Sequence, residues 1–439
     1  MSPPTSTPTS PTSIERLSDH VGARVTLRGW IYNRTSKGKL HFVQVRDGTG
    51  IAQCVLFKDS VAPELFEAVG RAGQESSLVL TGDVKADPRA PGGFEIAVVA
   101  GEVLQAVEGY PITPKEHGPD FLLNQRHLWL RSKRPWAVMR IRDAVITGMR
   151  RFLDERGFVC VDSPVFTPNA CEGTSTLFEV PYFDEKAYLT QSGQLYAEAA
   201  AMALGKVYCF GPTFRAEKSK TRRHLTEFWM LEPEMAFATL DDVMQLAEDL
   251  LVATVQHVLA TRRAELAALE RDVAKLESVR SPFPRLSYDQ AAKILADTPG
   301  STFEYGGDLG APDETILSNL HDRPVMVHRY PVEVKAFYMK RDPADPSKAL
   351  CVDVLGSEGV GELIGGSQRE DDHDALLARI DEHKLPREFF EWYLDLRKYG
   401  SVPHGGFGLG LERTVAWIAG IEHVREAAPF PRTMYRLRP

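Results

Sequence analysis

Two arginine-containing segments, far apart in the chain, restrict most strongly what this sequence can fold into. The first, Phe214 to Phe228, is typical of a strand, a polar loop and a second strand. The second, Gly406 to Arg413, reads as a glycine-rich strand that leads into a helix. Arg215 and Arg413 offer forked donors for phosphate oxygens, and Phe228 offers a plane on which a base can stack. Together the two segments predict a nucleoside triphosphate site without a phosphate-binding lysine loop.

The composition favours a protein of the aqueous phase. The 439 residues are 43% apolar and 26% charged. No window approaches the roughly 18 consecutive apolar residues of a membrane span. No signal-peptide pattern opens the chain. The five scattered cysteines argue against a disulfide framework or a zinc site. The net charge of −8 argues against nonspecific coating of nucleic acid. We therefore expect a cytoplasmic protein with no membrane partner.

Changes in local pattern predict a small β domain followed by a large α+β domain. The predicted segments are a disordered lead (1–13), an OB-fold barrel of five short strands (14–108), a hinge (109–135) and the α+β domain (136–439). The absence of repeated βαβ spacing favours an antiparallel sheet flanked by helices in the large domain. Within it, residues 240–290 are predicted to be a helical insertion, with a solvated hairpin over 240–278.

Three motifs, in their order and spacing, resemble the signature motifs of the class II aminoacyl-tRNA synthetases. They are the segment Gly157 to Pro164, the Phe-Arg-x-Glu block at Phe214, and the glycine-rich block that ends in Glu412-Arg413. The preceding barrel is the layout of the aspartate/asparagine/lysine subgroup. The resemblance covers essentially all residues beyond Ser13. It implies a six-stranded antiparallel catalytic sheet, a homodimer, and ATP-driven charging of tRNA.

The resemblance also implies a role for each residue of the nucleotide site. The implied ATP contacts are Arg215 (α-phosphate), Arg413 (γ-phosphate), Phe228 (adenine face), Glu217 (adenine edge), Arg223 and His224 (outer phosphates), and Glu362. Arg215 and Arg413 are the implied catalytic residues. Asp353 and Glu362 match the carboxylates that hold Mg²⁺ on the triphosphate. The amino acid carboxylate would attack the α-phosphorus in line, and a tRNA 3′-terminal hydroxyl would then take the acyl group.

The amino acid site can be assigned in the same way. The implied contacts are Glu172, in a loop that closes near the α-amino group, then Gln194, Ala197, Glu227, Glu232 and Arg369. Ala197 stands where the aspartate enzymes place a lysine, so a buried aspartate side chain would lack a charge partner. Arg369 matches the arginine that binds the side-chain oxygen of the substrate. We therefore expect asparagine.

A carboxylate on the amide nitrogen would complete the recognition of asparagine and would repel aspartate. We assign this role to Glu227 and place Glu232 near the α-amino group. Strand alternation opposes this assignment, because it puts Phe228 and Glu232 on one face and Glu227 on the other unless the strand begins after Glu227.

The barrel gives a separate indication of the same substrate. Anticodons for asparagine and aspartate share a central uridine, and Phe42 matches the residue that stacks on this base in the subgroup. Gln53 matches the residue that hydrogen-bonds the base edge, and Glu95 a further contact. Arg34 adds positive charge for the RNA backbone. We expect tRNA(Asn) as the macromolecular substrate.

Three alternatives stay open at this point. The chain could be a nucleic-acid-binding module with an inactive second half, an ATP-dependent enzyme that amidates free aspartate, or an enzyme that charges tRNA with aspartate and has relaxed tRNA choice. The joint presence of Arg215, Arg413, Asp353 and Glu362 disfavours the first. The barrel and Ala197 disfavour the second.

Overall fold

The computed structural model describes residues 11–168 and 177–439, and the chain divides between Leu122 and Leu123 into two compact units. The strands of the first unit are β1 (Arg24–Lys37), β2 (Leu40–Arg46), β3 (Ile51–Phe57), β4 (Ser77–Ala86) and β5 (Phe94–Gln105), and helix α1 (Pro63–Arg71) follows β3. The strands close into a barrel in the order β1–β2–β3–β5–β4. The predicted five-stranded barrel is confirmed.

The barrel interior is filled by alternate residues of each strand, because successive side chains of a strand point to opposite faces. In β2 the buried residues are His41, Val43 and Val45. Phe42 and Gln44 therefore point outward, where they are half-buried.

Within the described residues, the rest of the chain contains thirteen strands and twelve α-helices. The strands are β6 (Val159–Cys160), β7 (Phe166–Thr167), β8 (Glu179–Tyr182), β9 (Glu185–Leu189), β10 (Lys206–Phe214), β11 (Glu227–Ala236), β12 (Arg285–Ser287), β13 (Val325–His328), β14 (Arg341–Asp342), β15 (Asp345–Ala349), β16 (Cys351–Gly356), β17 (Gly361–Gln368) and β18 (His404–Gly410). The helices are α2 (Pro119–Asn124), α3 (Arg126–Trp129), α4 (Lys133–Asp154), α5 (Gln194–Leu204), α6 (Leu240–Thr261), α7 (Arg263–Ala268), α8 (Val273–Glu277), α9 (Tyr288–Asp297), α10 (Ala311–Asn319), α11 (His373–Glu382), α12 (Glu391–Lys398) and α13 (Leu411–Ala419).

The second unit is built on a sheet in the order β12–β13–β16–β17–β18–β11–β10–β6. The six strands from β13 to β10 pair antiparallel. At the edges, β12 and β6 pair parallel with their neighbours. The predicted α+β class is confirmed, and the sheet has a parallel strand beyond each end of the six expected ones. Strands β7, β9 and β8 form a separate small sheet, and β14 and β15 form another.

The segment predicted to be a solvated hairpin is instead part of the core. Helix α6 buries Val243, Leu251 and Val258 in the largest apolar cluster, and it contacts β17, β18 and α4. Two of its acidic residues have hydrogen-bond partners within the protein. Asp242 closes a capping box at the start of α6, and buried Glu248 accepts a hydrogen bond from the backbone N–H of Phe283 at 3.0 Å. Among the described residues, none of the helices combines the length and the apolar content needed to cross a membrane.

Candidate active site

Two adjoining cavities, of about 120 and 550 Å³, lie over the central strands of the large sheet. Both are lined by Arg215, Met230, Glu362 and Gly408, so a ligand in one can contact a ligand in the other. Side chains alternate along β11, and this alternation turns Phe228, Met230 and Glu232 toward the cavities. The pairing of β11 with β18 and of β17 with β18 brings the remaining walls together from distant parts of the chain.

The smaller cavity brings together the residues that the sequence assigns to ATP. Its wall contains Arg215, Glu217, Arg223, His224, Phe228, Glu362 and Arg413. Gly408 lets the Met230 side chain lie close to the strand, because a Cβ atom at Gly408 would lie 2.3 Å from the terminal carbon of Met230. The cavity thus combines an aromatic ring, several cations and bare backbone, which suits a nucleotide.

The charged side chains of this cavity are already arranged around its aromatic ring. The Arg215 guanidinium carbon lies 5.5 Å from the centre of the Phe228 ring. Glu217 lies 4.0 Å from Arg215 and 3.8 Å from His224. Burial, and then the charge of Arg413, lower the pKa of His224. The imidazole is therefore neutral near pH 7 and serves as a hydrogen-bonding group rather than as a cation.

Arg223 is held at the cavity wall by a residue that the sequence interpretation missed. Its guanidinium donates to Glu314 Oε2 at 3.0 Å and to the Gly359 carbonyl oxygen at 2.5 Å. Burial and the neighbouring charge of Glu362 raise the pKa of Glu314 to about 7. Glu314 lies on α10, outside every recognisable motif, so no sequence signal identified it.

Two carboxylates converge where the cavities meet. Asp353 of β16 lies opposite Gly365 of β17, and a Cβ atom on Gly365 would lie 2.7 Å from Glu362 Oε1 and 3.8 Å from Asp353 Oδ1. Burial and the charge of Asp353 raise the pKa of Glu362, against the opposing effects of Arg413, Lys335 and Arg215. Such a pair of repelling carboxylate oxygens fits Mg²⁺.

Lys335 is a further cation beside these carboxylates that the sequence interpretation missed. Its Nζ donates to Asp353 Oδ2 at 2.9 Å. Burial alone would lower its pKa, but the charge of Asp353 raises it above the ordinary value, so the side chain is charged. The segment between β13 and β16 that carries Lys335 has no motif.

The larger cavity contains the predicted amino-acid residues Gln194, Glu232 and Arg369, together with Ser192. Glu232 accepts hydrogen bonds from Ser192 Oγ and, at 2.8 Å, from the backbone N–H of Gly193. Arg369 is buried, and it donates from Nε and Nη2 to the two oxygens of Glu234 at 3.0 and 2.9 Å. The sequence interpretation missed Glu234, although it lies two residues after Glu232 and alternation places both on one face.

Two predicted amino-acid contacts are not at this cavity and are corrected here. Glu227 is exposed and is the first residue of β11. Because the strand includes Glu227, its side chain points to the face opposite that of Phe228 and Glu232, away from the cavity. Ala197 is fully buried on another face of α5, where it packs with Ala201 and Val207. The prediction for Glu172 lies outside the described residues.

On the barrel, three of the predicted anticodon residues share the outer face. Gln53 lies opposite Glu95, and its Nε2 donates to Glu95 Oε2 at 2.9 Å. Phe42 lies on the adjacent strand with its side chain on this face. Arg34 does not join them, because it pairs with buried Val43 and its Nη1 donates to the Gly70 carbonyl oxygen at 2.6 Å. Its predicted contribution of positive charge for the RNA backbone stays a prediction.

Comparison with known proteins gives matches over nearly the whole chain. Residues 118–434 match the family of class II tRNA synthetases (D, K and N), and residues 25–104 match the OB-fold nucleic acid binding domain. The asparagine–tRNA ligase of Koribacter versatilis is 59% identical over 97% of this chain and 98% of its own length. The asparagine–tRNA ligase of Sorangium cellulosum is 60% identical over 96% of this chain and 98% of its own length.

Solved structures give the same result. One is the asparaginyl-tRNA synthetase of Pyrococcus horikoshii complexed with asparaginyl-adenylate, which is 48% identical in sequence and superposes with a TM-score of 0.94. The match covers 98% of this chain and 100% of that chain. A putative aspartyl-tRNA synthetase of Leishmania major Friedlin is 25% identical, with a TM-score of 0.85 over 100% of this chain and 97% of that one. With the three motifs, the barrel and the paired cavities, these matches establish that the chain belongs to the class II tRNA synthetases of the aspartate, lysine and asparagine group.

Proposed function

We infer that this chain ligates asparagine to tRNA(Asn). It first forms asparaginyl-adenylate from asparagine and ATP with release of pyrophosphate, and it then transfers the asparaginyl group to tRNA with release of AMP. The observation that carries this conclusion is Arg369, whose positive charge at the amino-acid cavity is matched by a bidentate carboxylate, Glu234. Relatives named asparagine–tRNA ligases, which match over nearly their full length, support the same substrate.

For the first step, the smaller cavity would hold ATP with adenine on Phe228. Arg215 would contact the α-phosphate and Arg413 the γ-phosphate, so that both cations neutralise charge that develops during in-line attack. Asp353 and Glu362 would hold Mg²⁺, which when bound neutralises charge on the triphosphate.

The asparagine side chain would lie over Arg369, and its α-amino group would lie near Glu232 in the larger cavity. A carboxamide oxygen can accept from a guanidinium without adding charge. An aspartate carboxylate would bring a negative charge to a cation that Glu234 already compensates, and it would also approach Glu232. These charges support asparagine over the aspartate alternatives.

The function is tested by tRNA charging. Purified protein, incubated with ATP, magnesium and a tRNA(Asn) transcript, is expected to attach labelled asparagine and not labelled aspartate. Charging with aspartate would instead favour the alternative of an aspartate enzyme with relaxed tRNA choice. Conversion of free aspartate into asparagine without tRNA would favour the amidating enzyme.

The barrel would bind the anticodon through Phe42, Gln53 and Glu95, and Arg34 would add positive charge for the RNA backbone. Replacement of Phe42 by alanine is expected to weaken tRNA charging by about 1–3 kcal/mol, as for loss of one stacked base. ATP–pyrophosphate exchange without tRNA should be unchanged, because it does not use the barrel. His41→Ala, which removes a buried side chain stacked on Phe66 inside the barrel, is a control for damage to the barrel itself. An equal loss of exchange in Phe42→Ala would contradict the anticodon role.

We also propose that the protein is a homodimer. Phe166, Tyr182 and Phe183 form an exposed aromatic cluster on the small sheet, with ring centres 5.6 and 5.1 Å apart. The Phe183 side chain is 91% exposed, and an apolar cluster of this kind is typical of a surface that a second copy covers.

Finally, we propose that the protein acts in the cytoplasm and that its domains follow the sequence-based limits. Cys54, Cys209 and Cys351 are buried free thiols, which suit a reducing compartment. Residues 14–108 would be the anticodon-binding domain, 109–135 the hinge and 136–439 the catalytic domain.

A further inference from the structure

A cluster of buried polar side chains lies beside Arg369, and the five members named next do not line the cavity. They come from α5, β11, α12 and the start of β18, and they are Glu198, Glu234, Tyr393, Arg397 and His404. Burying several charges together is costly unless each one has a partner. The cluster therefore calls for an explanation beyond packing.

Glu198 is the hub of this cluster. Its Oε1 accepts from Gln194 Nε2 at 3.0 Å and from the Tyr393 hydroxyl at 2.8 Å. Its Oε2 accepts from Arg397 Nη2 at 2.7 Å and lies 3.0 Å from His404 Nε2. Burial alone would raise the pKa of Glu198, but Arg397 and the other donors hold it below its usual range, so the carboxylate is ionised.

The hub is linked to the cavity through Arg369. Glu198 Oε1 lies 3.9 Å from Arg369 Nε, which itself donates to Glu234. Arg369 Nη1 donates to Ser367 Oγ at 2.8 Å. Since an arginine has five N–H donors, these bonds leave donors on Nη1 and Nη2 for a ligand in the cavity that Arg369 lines.

The permanent charges of the cluster cancel. Glu198 and Glu234 are negative, and Arg369 and Arg397 are positive, so their sum is zero. By distance alone, Glu198, Glu234 and His404 could hold a metal ion. The two guanidiniums already supply the positive charge at these carboxylates, and a cation would be repelled by both. The arrangement therefore keeps the net charge around Arg369 near zero at the side of the cavity that Arg369 lines.

We propose that Glu198 is a positioning residue that sets the preference for a carboxamide over a carboxylate, by cancelling the positive charge that Arg397 would otherwise add behind Arg369. The proposal rests on the asparagine activation inferred above. Removal of the Glu198 charge would leave the cluster with one net positive charge. That charge would attract an aspartate side chain and do little for a neutral asparagine side chain.

The test is ATP–pyrophosphate exchange of the full chain with asparagine and with aspartate. Glu198→Gln keeps the shape of the side chain and removes its charge. We expect the ratio of kcat/KM for asparagine to that for aspartate to fall roughly 10- to 100-fold, from a unit charge at an effective dielectric constant near 20. Glu265→Gln, which neutralises a buried glutamate paired with Arg140 outside the cavities, should leave the ratio unchanged.

A merely structural role gives a different result. If Glu198→Gln lowers both kcat/KM values equally and the ratio stays at the parent value, the proposal is overturned. Glu198→Gln alone leaves a buried positive charge and can fail to fold. The charge of Glu198 is therefore also tested in proteins that carry Arg397→Gln. The ratio should be higher in Arg397→Gln than in the double variant Glu198→Gln/Arg397→Gln, which restores neutrality. Equal ratios in these two proteins would also overturn the proposal.

Failure of this proposal is distinguishable from failure of the proposed function. The proposed function fails if the parent protein itself prefers aspartate. The role of Glu198 fails if the parent prefers asparagine and the ratio does not respond to the charge at position 198.

Discussion

Replacement of Arg369 by lysine is expected to reduce asparagine-dependent ATP–pyrophosphate exchange by roughly one to two orders of magnitude, because a lost hydrogen bond between a charged group and the substrate costs about 1.5–3 kcal/mol. Lysine keeps the charge but cannot reproduce the two bonds to Glu234 and the bond to Ser367 Oγ. It also has no planar fork to offer to a carboxamide oxygen. The measurement is kcat/KM for asparagine at saturating ATP.

The control for this variant is Arg46→Lys. Arg46 forms a similarly close pair with Glu75, at 2.8 Å, but it lies in the barrel and should not affect exchange. An Arg369→Lys protein with an unchanged kcat/KM for asparagine would show that the guanidinium does not bind the side chain of the substrate.

Replacement of Arg413 by alanine is expected to reduce the kcat of exchange by roughly two to three orders of magnitude, as for removal of one preorganised group that stabilises developing charge. Arg413 lies in the first turn of α13, and its Nη1 donates to the Glu362 carbonyl oxygen, which holds the guanidinium at the wall of the smaller cavity. The measurement is exchange at saturating asparagine over a range of ATP concentrations.

Arg263→Ala is the matched control, because Arg263 is an exposed arginine on α7 that pairs with the exposed Glu277 at 2.9 Å. It should leave exchange unchanged. Full activity of Arg413→Ala would contradict the proposed nucleotide site. A loss confined to the KM for asparagine would instead place Arg413 at the amino acid.

The grouping of the residues assigned to ATP around one cavity was predictable because these residues are encoded locally. Arg215, Glu217 and Phe228 lie on two adjacent antiparallel strands and the loop between them, so their spacing in the sequence sets their spacing in the fold. Arg413 follows the glycine-rich strand that pairs with the second of these strands. Only one sheet contact had to be assumed to bring the two segments together.

The amino-acid site was less predictable because single-residue shifts decide which way a side chain points. Strand β11 begins at Glu227, so alternation places Glu232 and Glu234 on the face that carries Phe228 and turns Glu227 to the other face. On α5, Gln194 and Glu198 are four residues apart and share a face, whereas Ala197 packs against Val207.

Residues without a motif could not be found from the sequence. Glu314, Lys335 and Arg397 come from segments of ordinary composition, and long-range packing brings them to the cavities or to the cluster beside them. Helix α6 shows the same limit for the fold. It was predicted to be part of a solvated hairpin, whereas its apolar residues are buried and Asp242 and Glu248 have hydrogen-bond partners.

The central claim is that Arg369, with its charge compensated, selects a carboxamide in a cavity that adjoins the ATP site. The most direct measurement is ATP–pyrophosphate exchange by the unmodified chain with asparagine and aspartate in parallel, without tRNA. The charges described here predict exchange with asparagine and a far lower kcat/KM with aspartate. Equal or greater exchange with aspartate would contradict the claim.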